Sequence, residues 1–166
     1  LYGTASDRAG LAHCLKAFGD LKFRSSELGA AQKLYSDAIE IYEESLDRHG
    51  AALTHKALGD LYRSQDDYSN ATIHFQQACE IFEMLGDQLN LASAFFSLGE
   101  IKRCQDEYSD ARVYYERAKV LYEQSHGKAG LANTLQALGD LSMRLGNLVD
   151  EQSFYSEAID LCRHLG

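Results

Sequence analysis

The chain of 166 residues carries 16 Lys and Arg against 25 Asp and Glu, a formal net charge of −9 at pH 7, and holds neither Pro nor Trp. Such an acidic chain repels a phosphate backbone, whose binding rests on basic side chains, so nucleic acid is excluded as a partner. No stretch reaches the roughly 18 consecutive apolar residues of a membrane span, the first ten residues show no basic segment ahead of an apolar core, and the lack of Pro removes the commonest helix breaker; an all-α, cytoplasmic chain without membrane contact is expected.

Taken in chain order, the sequence repeats. Leu1-Tyr2 has the phase of Ile41-Tyr42, Ile81-Phe82 and Leu121-Tyr122, so residues 1–9 read as the end of a preceding helix, and the chain as a piece of a longer protein. Phe18-Gly19-Asp20-Leu21 then recurs as Leu58-Gly59-Asp60-Leu61, Leu98-Gly99-Glu100-Ile101 and Leu138-Gly139-Asp140-Leu141, with no insertion between copies. The units are 10–50, 51–90, 91–130 and 131–166, in one continuous array. In the second, the spacing predicts a helix over Arg48–Ser64, a turn at 65–67 and a helix over Tyr68–Leu85. Gly86 stops that helix, and Asp87 caps the next, as Asp7 and Asp47 do at the same phase.

Two further columns follow each glycine. Ala31, Ala71 and Ala111 are succeeded by Glu151, where the fourth unit is expected to pack most loosely, and Ala38, Ala78, Ala118 and Ala158 are uniform. Between them stand Tyr35, Phe75, Tyr115 and Tyr155, read as core. Leu-Gly, a small residue, an aromatic and then Ala resembles the tetratricopeptide repeat signature. The resemblance implies an α-solenoid of antiparallel helix hairpins, a superhelix. It departs from the signature at Leu15, His55 and Leu135, where only Phe95 keeps the large aromatic. Relative to a 34-residue unit the added six residues, about 9 Å of helix, are placed in the second helix.

The resemblance also implies a concave groove lined by the first helix of each unit. Counting from Asp20 along one helix face gives Lys16, Phe23 and Arg24, with His13 a turn back. The equivalent sets are Leu53, Lys56, Asp60 and Arg63; Ser93, Phe96, Glu100 and Arg103; and Asn133, Gln136, Asp140, Met143 and Arg144. An acidic column thus stands beside a basic one, expected to pair within each helix. Six bases face four acids, so the groove is expected to be slightly basic and to hold a protein or peptide segment with acidic character. The Asp or Glu after each glycine stands where carboxylate-clamp repeats, and the 40-residue repeats of Pins-like adaptors, carry Asn, so neither set of partners carries over. Residues 133–141 also resemble repeat tails of NACHT or NB-ARC signalling ATPases.

No cofactor, metal or catalytic residue is expected. Metalloprotease, nucleophile-elbow, phosphate-loop and calcium-loop motifs are missing, and the six His occupy unrelated phases. Cys14, Cys79, Cys104 and Cys162 form no Cys-x-x-Cys pair and read as buried or half-buried helix residues of a reducing compartment. The chain is therefore read as an interaction scaffold and not an enzyme. The alternative is a structural array that associates end to end through uncapped terminal units, where Phe154, Ile159 and Leu161 lack a following helix, or a sensor segment within a larger signalling protein.

Overall fold

A computed structural model describes residues 5–163, and among them lie eight helices and no strand. They are α1 (Ala5–Arg24), α2 (Leu28–Glu44), α3 (Arg48–Ser64), α4 (Tyr68–Leu85), α5 (Gln88–Cys104), α6 (Tyr108–Gln124), α7 (Lys128–Arg144) and α8 (Leu148–Arg163). They divide into two compact units, Leu1–Leu85 and Gly86–Gly166. Within the first, α1 packs on α2, α3 on α4, and α2 and α1 on α3; within the second, α5 packs on α6, α7 on α8, and α6 and α5 on α7. This is the repeated-hairpin, all-α architecture that the spacing predicts.

Several boundaries move. α3 and α4 fall where the sequence puts them, but residues 5–9, expected to end a preceding helix, instead open α1, and residues 1–4 lie outside the described residues. No Pro interrupts that stretch, so helix propagates through it. The helices starting at Arg48, Gln88 and Lys128 begin about one turn ahead of the unit boundaries at 51, 91 and 131. The residues added to a 34-residue unit are not confined to the second helix: α5 and α6 have 17 residues each.

Turns of two or three residues need one residue in the left-handed region to reverse the chain. Gly86 supplies it with φ +69°, and Gly146 with φ +73°, where a glycine has no Cβ penalty. The other turns use Ser26, Leu46, Asp66, Asp106 and His126 at φ 56–60°. Paired bonds hold them there: Glu27 N–H donates to the Lys22 carbonyl at 2.9 Å and Ser26 N–H to Phe23 at 3.0 Å, and the same pattern recurs at 66–67 and 106–107. Asp47 accepts from the Gly50 amide at 2.9 Å and Asp87 from that of Asn90 at 3.1 Å, as N-caps. The matching cap at Asp7 concerns a side chain outside the described residues.

The glycine and alanine columns explain how close the helices of a hairpin come. A Cβ on Gly19 would stand 2.7 Å from the Tyr35 ring, on Gly59 2.9 Å from Phe75, and on Gly99 2.6 Å from Tyr115. Ala31, Ala38, Ala71, Ala78, Ala111 and Ala118 are all fully buried. Each aromatic so enclosed contributes about 1.5–3 kcal/mol of transfer free energy. Glu151, in place of the alanine, is half-buried, and α8 carries no buried residue.

Candidate functional site

The residues expected to line a binding face lie on α1 and α3 in the first unit and on α5 and α7 in the second. Beside the buried Gly19, Gly59, Gly99 and Gly139, the next residue in each helix is only half-buried and directs its carboxylate along the face. The structure gives that column a second task. Tyr35 Oη donates to Asp20 Oδ1 at 2.8 Å, Tyr155 Oη to Asp140 Oδ1 at 2.5 Å, and Tyr115 Oη to Glu100 Oε1. In these three hairpins the second helix is tied across to the first by a tyrosine fifteen residues on. Phe75 fills that place in the α3–α4 hairpin and makes no such tie.

A parallel tie lies one turn back. Tyr42 Oη bonds His13 Nδ1 at 2.8 Å, and Tyr122 bonds Ser93. At the same places α3–α4 pairs Phe82 with Leu53, and α7–α8 pairs Cys162 with Asn133, whose amide is exposed. Burial, and then the carboxylate acceptor, pushes the Tyr35 and Tyr115 hydroxyls far above the ordinary phenol range. Burial also lifts Tyr42 to about 12, and the bond to Asp140, ahead of burial, lifts Tyr155 to about 12. The phenols therefore stay protonated donors.

The expected acid–base pairing holds in two helices. Arg63 Nη2 lies 3.1 Å from Asp60, and Arg103 Nη2 2.8 Å from Glu100, which raises the Arg103 guanidinium further. It fails in the others. Asp20 is taken by Lys16 Nζ at 2.8 Å and by Tyr35, leaving Arg24 exposed without an ion pair among the described residues. Asp140 is taken by Tyr155, and Arg144 turns to the Tyr108 ring, 6.0 Å from its centroid. The paired arginines sit three residues after their acids, while Arg24 and Arg144 sit four after. Lys56 also reaches Asp60, at 3.7 Å.

Of the apolar members, Met143 is exposed, whereas Phe23 is half-buried against the Ala31, Tyr35, Leu58 and Leu61 cluster and serves the core more than the face. Phe96 does both: it packs on Tyr115 with ring centroids 5.6 Å apart, and it lines a cavity of about 300 Å³ between α5 and α7. Glu100, Arg103, Asn133, Gln136 and Asp140 line the same cavity. Six of the expected face residues of the second unit are thus brought together, amide and aromatic groups beside two carboxylates, Glu100 and Asp140, and one base, Arg103. The first unit's face differs: Lys16, Arg24, Lys56 and Arg63 stand against Asp20 and Asp60.

Two side-chain groups are not as expected from their spacing. The histidines, although at unrelated phases, include a pair: His55 Nδ1 lies 3.1 Å from His74 Nδ1, and Tyr62 stacks on His74 with ring planes 4° apart. Burial, then the neighbouring imidazole, lowers His55 to about 4, and burial lowers His74. No cluster of three metal-ligating side chains occurs among the described residues. Cys79 is buried, but Cys14, Cys104 and Cys162 are exposed, because they sit on the outer side of α1, at the last residue of α5 and near the end of α8. No described helix is long and apolar enough to cross a membrane.

Among families, the tetratricopeptide repeat matches residues 11–84 and 88–164. No curated protein matches the chain. Among solved structures, aspartyl phosphate phosphatase F from Bacillus subtilis superposes with a TM-score of 0.92 at 19% identity over 96% of this chain. BtubC (BKLC) from P. vanneervenii superposes with a TM-score of 0.84 at 20% identity over 93%. The chain spans only 42% and 64% of those two proteins, and at such identity the likeness concerns the fold alone.

Proposed function

We propose that this chain, which belongs to the tetratricopeptide repeat family, holds a protein or peptide segment against its first-helix faces; repeats of this family generally mediate protein–protein interaction and are generally not enzymatic. The observation that carries the proposal is the cavity between α5 and α7. There Phe96 offers an apolar wall while the exposed Asn133 and Gln136 offer amides that can bond the main chain of an extended segment. In the first unit four bases face two acids, and Arg24 makes no ion pair among the described residues, which favours acidic side chains of the partner there. That Cys14, Cys79, Cys104 and Cys162 form no disulfide among the described residues favours a reducing, cytoplasmic setting for this binding.

The test begins with peptides selected from a displayed random library against the chain. Phe96→Ala and Gln136→Ala should each weaken a selected peptide by about tenfold, or about 1.4 kcal/mol, in a calorimetric titration. Val120→Ala, at an exposed position on α6, should leave binding unchanged. Full affinity in the Phe96→Ala, Gln136→Ala double variant, with helicity retained by circular dichroism, would overturn the assignment.

A further inference from the structure

The four carboxylates that follow the face glycines are not compensated alike. Asp20 pairs with Lys16 at 2.8 Å, Asp60 with Arg63 at 3.1 Å and with Lys56 at 3.7 Å, and Glu100 with Arg103 at 2.8 Å. Asp140 makes no ion pair among the described residues: its Oδ1 accepts the Tyr155 hydroxyl at 2.5 Å, and its Oδ2 has no hydrogen-bond partner among them. The cause lies on its own helix. Four residues before the acid, where Lys16 and Lys56 stand, α7 has Gln136, and three residues after it, where Arg63 and Arg103 stand, α7 has Met143. The other three acids all take their bases from their own helices, even Asp20 and Glu100, which have a further first helix, α3 or α7, packed within their units. The uncompensated charge at Asp140 is therefore set by residues of α7, whatever adjoins α8.

That half-buried carboxylate lines the cavity of about 300 Å³ between α5 and α7. Arg103 is engaged by Glu100, so the cavity keeps one negative charge without a counterion. Around it stand the Phe96 ring and the exposed amides of Asn133 and Gln136. An aromatic face attracts a cation, and the amide oxygens and Asp140 Oδ2 are acceptors for its N–H groups. An acidic side chain entering the cavity would be repelled by Asp140, and an apolar one would cover Oδ2 without giving it a donor.

We propose that the α5–α7 cavity is a subsite for a basic side chain of the bound segment, its apolar stem against Phe96 and its charged end on Asp140 Oδ2 and the Asn133 and Gln136 amide oxygens. The preference is opposite in sign to that of the first unit, where both face carboxylates are already paired and bases outnumber them. The subsite rests on the proposal that a segment is held at this cavity, and it adds which side chain the cavity selects. Asp140 is its specificity-determining residue.

The probes are peptides selected from a displayed random library against the chain and retained if the Phe96→Ala, Gln136→Ala double variant weakens them. Each should carry a Lys or Arg whose replacement by norleucine weakens binding about tenfold in a calorimetric titration. Asp140→Asn, which keeps an oxygen for the Tyr155 hydroxyl, should weaken the basic peptide by a similar factor and leave the norleucine peptide unchanged, so that the two losses do not add. With helicity retained by circular dichroism, full affinity of the basic peptide for Asp140→Asn, an equal loss for both peptides, or retained peptides without a basic residue would each overturn the subsite while the segment-binding proposal stands. Selected peptides that all ignore the double variant would overturn both.

Discussion

The hairpins α3–α4 and α5–α6 share one backbone plan but place their polar groups in opposite layers. Where α3–α4 has His55 and His74, α5–α6 has Phe95 and Tyr114; where it has Phe75 and Phe82, α5–α6 has Tyr115 and Tyr122. The changes on the first helix follow suit: Leu53 stands at the place from which Ser93 meets the Tyr122 hydroxyl, and Asp60 is left to Lys56 and Arg63 while Glu100 gains Tyr115. The repeat thus fixes volume and helix phase at these positions, and leaves polarity to be balanced locally, since each buried donor requires an acceptor. The candidate face inherits that balance, because its carboxylates are also the acceptors that tie three hairpins together.

Acid should break the comparison most widely. His55 is lowered from an unfolded value near 6.5 to about 4, so the unfolded state binds more protons between those values. Stability contributed by the neutral imidazole is full above about 6.5, declines as pH falls, and is lost entirely below about 4, by about 3 kcal/mol at most. The paired His74, also lowered, moves in the same direction. Urea unfolding at pH 4.5 and 7 should show the loss, and His55→Phe, the residue of the α5 counterpart, should flatten it. An unchanged pH slope in that variant would contradict the assignment.

Next in size is Tyr115→Phe, which makes α5–α6 resemble α3–α4. It removes a hydrogen bond to a charged group and should cost about 2 kcal/mol by chemical denaturation. The reverse change, Phe75→Tyr, brings a donor toward Asp60 and should be neutral or stabilising by up to about 1 kcal/mol. Equal costs for both changes would show that the hydroxyl is not what distinguishes the hairpins.

Smallest is the glycine pair. Gly99→Ala sets a Cβ 2.6 Å from the Tyr115 ring and Gly59→Ala sets one 2.9 Å from Phe75. Overpacking costs about 1–3 kcal/mol and alanine's helix propensity returns about 1 kcal/mol, so Gly99→Ala should lower stability by about 1 kcal/mol and Gly59→Ala by less. The reverse ranking in thermal unfolding would show that ring position does not set the cost.

The fold was legible because period and helix phase are local quantities. Gly59, Ala71, Phe75 and Ala78 recur at fixed spacing, and Gly86 marks a stop, so α3 and α4 could be bounded from the chain alone. The face was legible only as a set of positions. Its pairing is decided by contacts that cross a turn: Asp20 reaches Tyr35, not Arg24, and His55 meets His74 nineteen residues away. A signal for the first was present, since an acid after the glycine is followed fifteen residues on by Tyr in three units and by Phe in the one whose acid takes two bases. The exposure of Cys14 had no such signal, because the same phase is buried at Thr54 and Thr134.

Whether the first-helix faces receive the partner is tested most directly by an amide chemical-shift map of the chain titrated with a selected peptide. The largest shifts are predicted at Phe96, Glu100, Asn133, Gln136 and Asp140, with residues on the outer sides of α6 and α8, such as Val120, unmoved. Shifts concentrated on α6 and α8, with the α5–α7 cavity undisturbed, would contradict it.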